Sequence, residues 1–168
     1  MTLKCGCPQS YPQDWDGEDV DLSHHCVHIL PIPTFIHMPL AYESYTKKQN
    51  QDIERLELEE PWPGLTLTQT GALRGRIIRL LDASTRSPSR RVEFLPTPFN
   101  VRAKLHHGNV STIRYPVSQM SLDLLESGRR PKELYLCHLA CPQCHETGDK
   151  ILFLRRWVKT SRAAKSEK

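Results

Sequence analysis

The chain has 168 residues, which is the length of one domain and enough to bury a sizeable hydrophobic core. Its net charge of +4 results from 23 Lys and Arg against 19 Asp and Glu, an excess too small to indicate nucleic-acid binding by itself. No apolar run approaches the roughly 20 residues that cross a bilayer, and no signal-peptide segment follows Met1, so we expect a soluble cytoplasmic protein.

Residues 1–38 predict a proline-rich N-terminal arm without regular structure. Within it, only Val27 to Ile32 has the apolar character of a short strand. The acidic run from Asp14 to Asp21 is interpreted as a solvated turn. The arm is expected to fold back onto the C-terminal part of the chain.

The next part of the chain alternates between helical and extended patterns. Pro39 to Leu58 predicts a helix, because its apolar side chains recur at three- and four-residue spacing after a proline that suits a first turn. Leu65 to Thr70 alternates with period two and predicts a strand. Leu73 to Leu81 favours a helix by its spacing, although the same run also fits a buried strand.

The second half predicts a hairpin, a helix and a further hairpin. Phe99 to Leu105 alternates cleanly, and Val110 to Tyr115 is expected to return beside it as the partner strand. Pro116 to Ser127 predicts a helix that ends at a glycine. Strands from Glu133 to Leu139 and from Ile151 to Val158 form the last hairpin.

These elements predict an α+β fold, with a mostly antiparallel sheet and two or three short helices, because no β-α-β alternation is present. A cysteine knuckle hairpin is expected to join the N- and C-terminal ends. We expect a single metal-stabilised domain over residues 1–160 and a basic disordered tail over residues 161–168.

The six cysteines fall into three groups along the chain: Cys5 with Cys7, Cys26 alone, and Cys137 with Cys141 and Cys144. Thiols stay reduced in the cytoplasm, so clustered cysteines indicate metal binding or redox chemistry rather than a disulfide scaffold. Cys141-Pro-Gln-Cys144 has the spacing that lets two thiolates bind one ion from a tight turn. With its flanking strands it resembles the knuckle hairpin of zinc-ribbon and rubredoxin-type sites.

The second pair of ligands is expected at Cys5 and Cys7, where Gly6 permits the tight bend that a single intervening residue requires. The sequence therefore predicts one zinc ion, or alternatively iron, bound by four thiolates. Cys26 and His28 are two residues apart and would share one face of a strand, so they are candidates for a second site or for replacement of a ligand. Cys137 and His145 are further possible replacements.

Three other interpretations of the cysteines remain open. Cys141 to His145 matches the attachment pattern of a c-type haem, which is made in an exported setting. A thioredoxin-like redox pair would need a helix after the motif, and a strand is expected there. A catalytic cysteine with His25, His28 or His138 as its base lacks a recognisable orienting group.

Two functions follow. In the first, a bound metal stabilises the fold of a non-catalytic interaction module, whose basic second half contacts an acidic protein or RNA. Arg102 and Lys104 lie together in that half, but only Phe99 and Tyr115 are nearby for base stacking, which favours an acidic protein over RNA. In the second, the Cys and His clusters serve a metal- or redox-active protein, and the ligand count distinguishes the two.

Overall fold

The structure, a computed structural model, describes residues 5–144 and 148–161. This part of the chain contains nine strands, two α-helices and a 3-10 turn at Gln13–Trp15. The bounds of the strands are β1 Asp19–Asp21, β2 Cys26–Phe35, β3 Met38–Pro39, β4 Thr66–Gln69, β5 Arg74–Leu80, β6 Val92–Phe94, β7 Asn100–His107, β8 Arg129–Ala140 and β9 Lys150–Lys159. The helices are α1 Tyr42–Arg55 and α2 Arg114–Glu126.

All nine strands belong to one antiparallel sheet in the order β1-β7-β9-β8-β4-β5-β2-β3, with β6 paired to β2. Apart from the two-residue strand β3, which precedes α1, the chain passes twice through the order strand, helix, strand, strand: first β2-α1-β4-β5 and then β7-α2-β8-β9. The two units meet where Thr68 of β4 pairs with Leu136 of β8. The predicted α+β class with a mostly antiparallel sheet is confirmed.

Both helices lie on the same face of the sheet. Leu30, Ile77, Thr68, Leu136 and Phe153 are paired in that order across adjacent strands, so their side chains share one face. The first two pack near Tyr42 and Tyr45 of α1, whereas the last two belong to the cluster that contains Met120 and Leu124 of α2. The middle of this face lies between the two helices and is covered by neither of them.

The opposite face carries the largest apolar cluster. It includes Leu67, Ile78, Tyr135 and Leu154, whose register places them together on that face. The N-terminal segment covers it with Trp15 and Leu22, and Leu95, Phe99 and Trp62 complete the cover.

Residues 1–38 contain more regular structure than predicted. The short strand expected at Val27 to Ile32 is part of the ten-residue strand β2, and β1 lies within the same segment. The prolines of β2 are accommodated by register. Ile29 donates its backbone N–H to the carbonyl of Arg91, on the side of β2 that faces away from β5. Pro31 and Pro33 lie two and four residues further along the strand, so their backbone nitrogens face the same side. Their missing N–H groups therefore fall on the side of β2 that does not pair with β5.

The helix favoured for Leu73 to Leu81 is also wrong, and the alternative of a buried strand is the observed one. These residues form β5, which lies between β4 and β2. Ile77 points to the helix-covered face and Ile78 to the opposite core, and both are almost fully buried. A strand covered on both faces loses the polar alternation by which strands are recognised.

The predicted hairpin partner of Phe99 to Leu105 does not form. Residues 108–113 make a turn, and α2 begins at Arg114, so β7 pairs instead with β9 and with β1. The acidic run at Asp14 to Asp21 is not simply solvated, because Asp19 within it forms ion pairs with Arg102 and Arg129.

The helices predicted near residues 39–58 and 116–127 are confirmed with small changes in their bounds. The division into a domain over 1–160 and a tail over 161–168 stays a prediction, and residues 162–168 lie outside the described part. No helix in the described ranges is long and apolar enough to span a membrane.

Candidate metal centre and adjoining cleft

The fold brings together the two cysteine pairs from opposite ends of the chain. The Sγ atoms of Cys5, Cys7, Cys141 and Cys144 all lie within 4.8 Å of one another. The Cys141 and Cys144 Sγ atoms are 3.8 Å apart. A tetrahedron with metal–sulfur bonds of about 2.3 Å has edges of about 3.8 Å, so the donor set suits zinc or another ion that prefers four thiolates.

The turn between β8 and β9 has the geometry of a metal knuckle. The backbone N–H of Cys144 donates to the carbonyl of Cys141 over 3.1 Å, which closes the turn. The backbone N–H of Cys141 points at the Sγ of Cys144 from 3.4 Å, an arrangement that stabilises a thiolate. On the other side, Gly6 adopts a φ of +86°, which glycine reaches without strain and which aims Cys5 and Cys7 at the same point.

The four thiols influence one another's protonation. A backbone hydrogen bond from Cys7, opposed by desolvation and assisted by the neighbouring thiols, lowers the pKa of Cys5 to about 7. Burial, followed by hydrogen bonds among the thiols, raises the pKa of Cys7. Four thiolates cannot crowd together without a cation, because their mutual repulsion is then uncompensated. The cluster therefore suits a metal ion that replaces the protons.

The other predicted ligands lie elsewhere. Cys26 is buried in a small apolar cluster with Ile53, Leu58 and Leu81. His28 is fully buried beneath α1, where its Nδ1 accepts from Gln49 at 3.1 Å and its Nε2 lies 3.3 Å from Asp52. Among the described residues, the four cysteines are the only set of three or more potential ligands close enough to share an ion.

The remaining candidates are also accounted for. Cys137 is fully buried in the large core opposite the helices, and burial raises its pKa. It therefore behaves as a small apolar side chain rather than as a ligand. His145 lies outside the described residues.

A cleft of about 460 Å³ lies directly beside the four-cysteine cluster. Cys5, Gly6 and Cys7 form part of its wall, and α1 supplies Tyr42 and Glu43. The sheet contributes further side chains between the two helices: Thr66, Arg79 and His138. The volume is typical of pockets that bind small molecules.

The polar groups of the cleft are held in defined positions. The Tyr42 hydroxyl lies 2.9 Å from the Thr68 Oγ1, and burial, partly offset by that contact, raises the pKa of Tyr42. The His138 side chain is exposed in the cleft. Desolvation by the surrounding protein lowers the pKa of His138, although the charge of Asp149 acts in the opposite direction. His138 is therefore neutral at neutral pH and able to accept a proton.

Arg79 forms the base of the cleft and is neutralised there. Its guanidinium donates to both carboxylate oxygens of Glu60 at 2.6 and 2.9 Å and to Asn50 at 2.7 Å. Both charged side chains are more than nine-tenths buried. A bidentate pair of this kind fixes the sheet to the segment that follows α1.

Sequence reasoning missed this cleft. Arg79 interrupts the apolar run from Ile77 to Leu81, and a charged residue inside such a run is a usable signal of a buried pair. Tyr42 and His138 are separated by almost a hundred positions, and nothing in their local sequence links them. Only the pairing of β4 with β8 brings their elements together.

Known structures with a similar fold include two of EcmrR. Its C-terminal domain gives a TM-score of 0.56 at 8% identity over 85% of this chain and 97% of that chain. EcmrR in a cryo-EM complex with DNA gives a TM-score of 0.55 at 10% identity over 85% of this chain and 57% of that chain.

A third similar structure is a hydrolase encoded by lin2189 from Listeria innocua, with a TM-score of 0.51 at 11% identity over 84% of this chain and 91% of that chain. At such low identity the three structures show a shared fold alone. No curated protein sequence matches the chain. The family described as "Bacterial hydrolase" matches residues 1–152, nearly the whole length, and the chain therefore belongs to that bacterial hydrolase family.

Proposed function

We propose that this protein is a zinc-stabilised domain that binds a small organic molecule in the cleft between α1 and the four-cysteine cluster. One observation carries the proposal: the segment Cys5-Gly6-Cys7 belongs both to the thiol cluster and to the cleft wall. A metal that fixes this segment would also fix the shape of the cleft. The metal is then structural, and the ligand is bound by the neighbouring side chains.

The number of thiols supports a structural metal. Four protein ligands fill the coordination sphere of zinc, whereas catalytic zinc sites keep one position open for water or substrate. The closed set therefore favours the first of the two functions considered from the sequence, in which the metal stabilises the fold. Reduced thiols are needed for this, in keeping with the cytoplasmic location that the sequence led us to expect.

Hydrolysis is the second candidate function, and membership of the bacterial hydrolase family favours it. Glu43 and His138 both line the cleft, and carboxylate and imidazole are side-chain groups that act as general bases. Tyr42 would orient a bound substrate through its hydroxyl. This candidate needs no metal-bound water, so it is compatible with a closed zinc site.

An acidic protein partner, preferred over RNA, stays a prediction. Some of the basic residues are already paired: Arg102 and Arg129 share Asp19, and Arg91 contacts Asp52. Lys104, Arg90 and Arg114 are exposed and remain available for such a partner. Binding that weakens steeply with salt would support this surface, and Lys104→Ala should reduce it.

The metal is tested by native mass spectrometry with elemental analysis. We expect one zinc per chain in the wild type and in Cys26→Ala, and much less in Cys5→Ser. Metal-free, fully folded protein in which Cys5, Cys7, Cys141 and Cys144 react with a thiol reagent would contradict the structural-zinc proposal. If the bound metal is iron and the protein absorbs visible light, the metal is not zinc and the electron-transfer alternative is favoured.

The cleft is tested by a fragment screen followed by NMR. Thr46 lines the cleft, whereas Ser44 lies on the same helix and does not. Thr46→Trp should fill the cleft and abolish fragment binding, and Ser44→Trp should not. Equal binding to both variants would contradict this site.

Hydrolysis is measured with p-nitrophenyl acetate as a nonspecific ester probe. Glu43→Gln or His138→Gln should lower the rate at least about tenfold, in line with the contribution of a general base. Glu54→Gln, an exposed change on the same helix, serves as the control. Rates equal to the control in both cleft variants would eliminate this chemistry.

A further inference from the structure

The four-cysteine cluster is partly open to solvent. Cys7 is buried, with 6% of its surface exposed. The other three members, Cys5, Cys141 and Cys144, are partly exposed. The thiolate is both the form of cysteine that binds zinc and the form that peroxides oxidise, and oxidation follows exposure. The cluster therefore presents oxidisable sulfur atoms to solvent beside the wall of the cleft.

The turn between β8 and β9 already holds two thiols in a position to form a disulfide. The hydrogen bond from the N–H of Cys144 to the carbonyl of Cys141 closes a β-turn, in which the first and last Cα atoms lie less than about 7 Å apart. A disulfide needs its Cα atoms within that same distance. The two Sγ atoms are 3.8 Å apart and must approach by about 1.8 Å to reach the disulfide bond length of about 2.05 Å.

The other two cysteines are less suited to pair with this turn. Cys7 is shielded by its burial from an oxidant in solution. Cys5 lies on a separate segment, whereas Cys141 and Cys144 stay together through their own turn when no metal is bound. The Cys141–Cys144 disulfide is therefore the expected product of oxidation.

We propose that the cluster is a peroxide-sensitive switch of the cleft, an inference that rests on the structural zinc proposed above. The sulfur of Cys141 or Cys144 attacks one oxygen of hydrogen peroxide, the O–O bond breaks, and a sulfenic acid and a hydroxide ion form. The other thiolate of the turn then attacks the sulfenic sulfur, which forms the disulfide and releases a second hydroxide ion. The sulfur atoms lose two electrons to the peroxide, and zinc leaves as Zn²⁺ with its oxidation state unchanged.

Loss of the ion frees one wall of the cleft. Once the turn is oxidised, Cys5 and Cys7 are the remaining members of the cluster, and two thiolates do not complete the tetrahedron that zinc requires. The segment Cys5-Gly6-Cys7 lines the cleft, and without zinc it loses its link to the β8–β9 turn. Pro8, the next residue, is buried, so the change is limited to the short segment before it.

The rest of the domain does not depend on these thiols for its packing. In the described part of the chain, none of the four cysteines belongs to the buried apolar clusters of the sheet and helices. Loss of zinc lowers the stability of the domain without removing these clusters. Oxidation should therefore leave a folded domain with an altered cleft, which is what distinguishes a switch from oxidative damage.

The switch is tested by treating the reduced, zinc-loaded full chain with a small excess of hydrogen peroxide. A zinc-sensitive dye measures release of the ion, and we expect two thiols to be lost for each zinc released. Peptide mass mapping should find the Cys141–Cys144 disulfide, and circular dichroism should show a folded domain. A reductant with added zinc should reverse the reaction. Cys26→Ala removes a thiol outside the cluster and should respond like the wild type.

The cleft has its own measurement, which is the NMR response of Tyr42 and Thr46 to a bound fragment. This response should be lost after peroxide treatment. It should also be lost when EDTA removes the metal from the reduced protein, because the missing ion and not the disulfide frees the wall. Fragment binding that persists after zinc release would overturn the switch, and so would a disulfide from Cys5 to the turn.

The untreated protein separates this inference from the proposed function. Zinc that is present at the start and stays bound after the exposed thiols meet peroxide would contradict the switch alone. Absence of zinc from the untreated protein would contradict the structural metal itself, and the switch with it.

Discussion

Asp19 and Arg102 face each other across the β1–β7 pair and are joined by two hydrogen bonds, of 3.0 and 2.9 Å. The same carboxylate accepts from Arg129 at 3.0 Å and from the indole of Trp157 at 3.2 Å. One acidic residue therefore links the N-terminal segment to three strands of the second unit. The arginine that the sequence suggested as part of a binding surface is in fact part of this link.

The first prediction concerns Asp19→Asn, which removes the charge from this link. We expect the free energy of unfolding to fall by about 1 kcal/mol, since solvent screens these partly exposed pairs. Urea unfolding at pH 7 measures the change. Glu18→Gln, a neighbouring exposed residue, is the control and should have almost no effect.

The pH dependence of that effect has a definite sign. Desolvation tends to raise the pKa of Asp19. Hydrogen bonds and the charges of Arg102 and Arg129 outweigh desolvation and bring this pKa below its usual value of 3.8. Its contribution is complete above that usual value and is lost as the pH falls through the folded-state pKa. The difference between Asp19→Asn and the wild type should therefore shrink in acid; a constant difference down to pH 2 would contradict this account.

The second prediction concerns the buried pair beneath the cleft. Glu60→Gln leaves the Arg79 guanidinium, only 5% exposed, without its anionic partner. We expect a loss of about 3 to 5 kcal/mol in the free energy of unfolding. Glu59→Gln is the matched control, because Glu59 is exposed. Replacing both members, by Arg79→Met with Glu60→Leu, should recover much of the stability; equal losses in Glu60→Gln and Glu59→Gln would show that the pair is unimportant.

The third prediction concerns His28. Burial, opposed by Asp52 and assisted by nearby arginines, lowers its pKa below 6.5. Because the folded state resists its protonation, stability is complete above 6.5 and decreases as the pH falls from there to the folded-state pKa. NMR titration of the imidazole should give a midpoint below 6.5, and urea unfolding should show the loss. A midpoint above 6.5 would mean that Asp52 dominates over burial.

The fourth prediction concerns removal of the metal. If zinc crosslinks Cys5 and Cys7 to the β8–β9 turn, its binding free energy is part of the folding free energy. EDTA should then lower the unfolding temperature of the wild type and of Cys26→Ala by a similar amount, and excess zinc should restore it. Cys144→Ser should already be destabilised and should respond little to EDTA. A chelator-insensitive wild type would argue against a structural metal.

The sequence alone indicated the cysteine centre. Cys-x-x-Cys and Cys-Gly-Cys encode their local bends, and the small number of other cysteines left few ways to combine the two pairs. Period-two alternation in β7 and helical spacing in α2 were likewise readable, because each has one solvent-facing and one buried side. These features depend on neighbouring residues alone.

Tertiary structure decided the rest. β5 is covered on both faces, so its apolar run did not reveal a strand, and β2 accepts two prolines only because of how its register directs them. The cleft joins Tyr42 to His138 through the contact of two repeated units. Long-range strand pairing is not encoded in any local window of sequence, because the burial that selects it exists only once the whole sheet has formed.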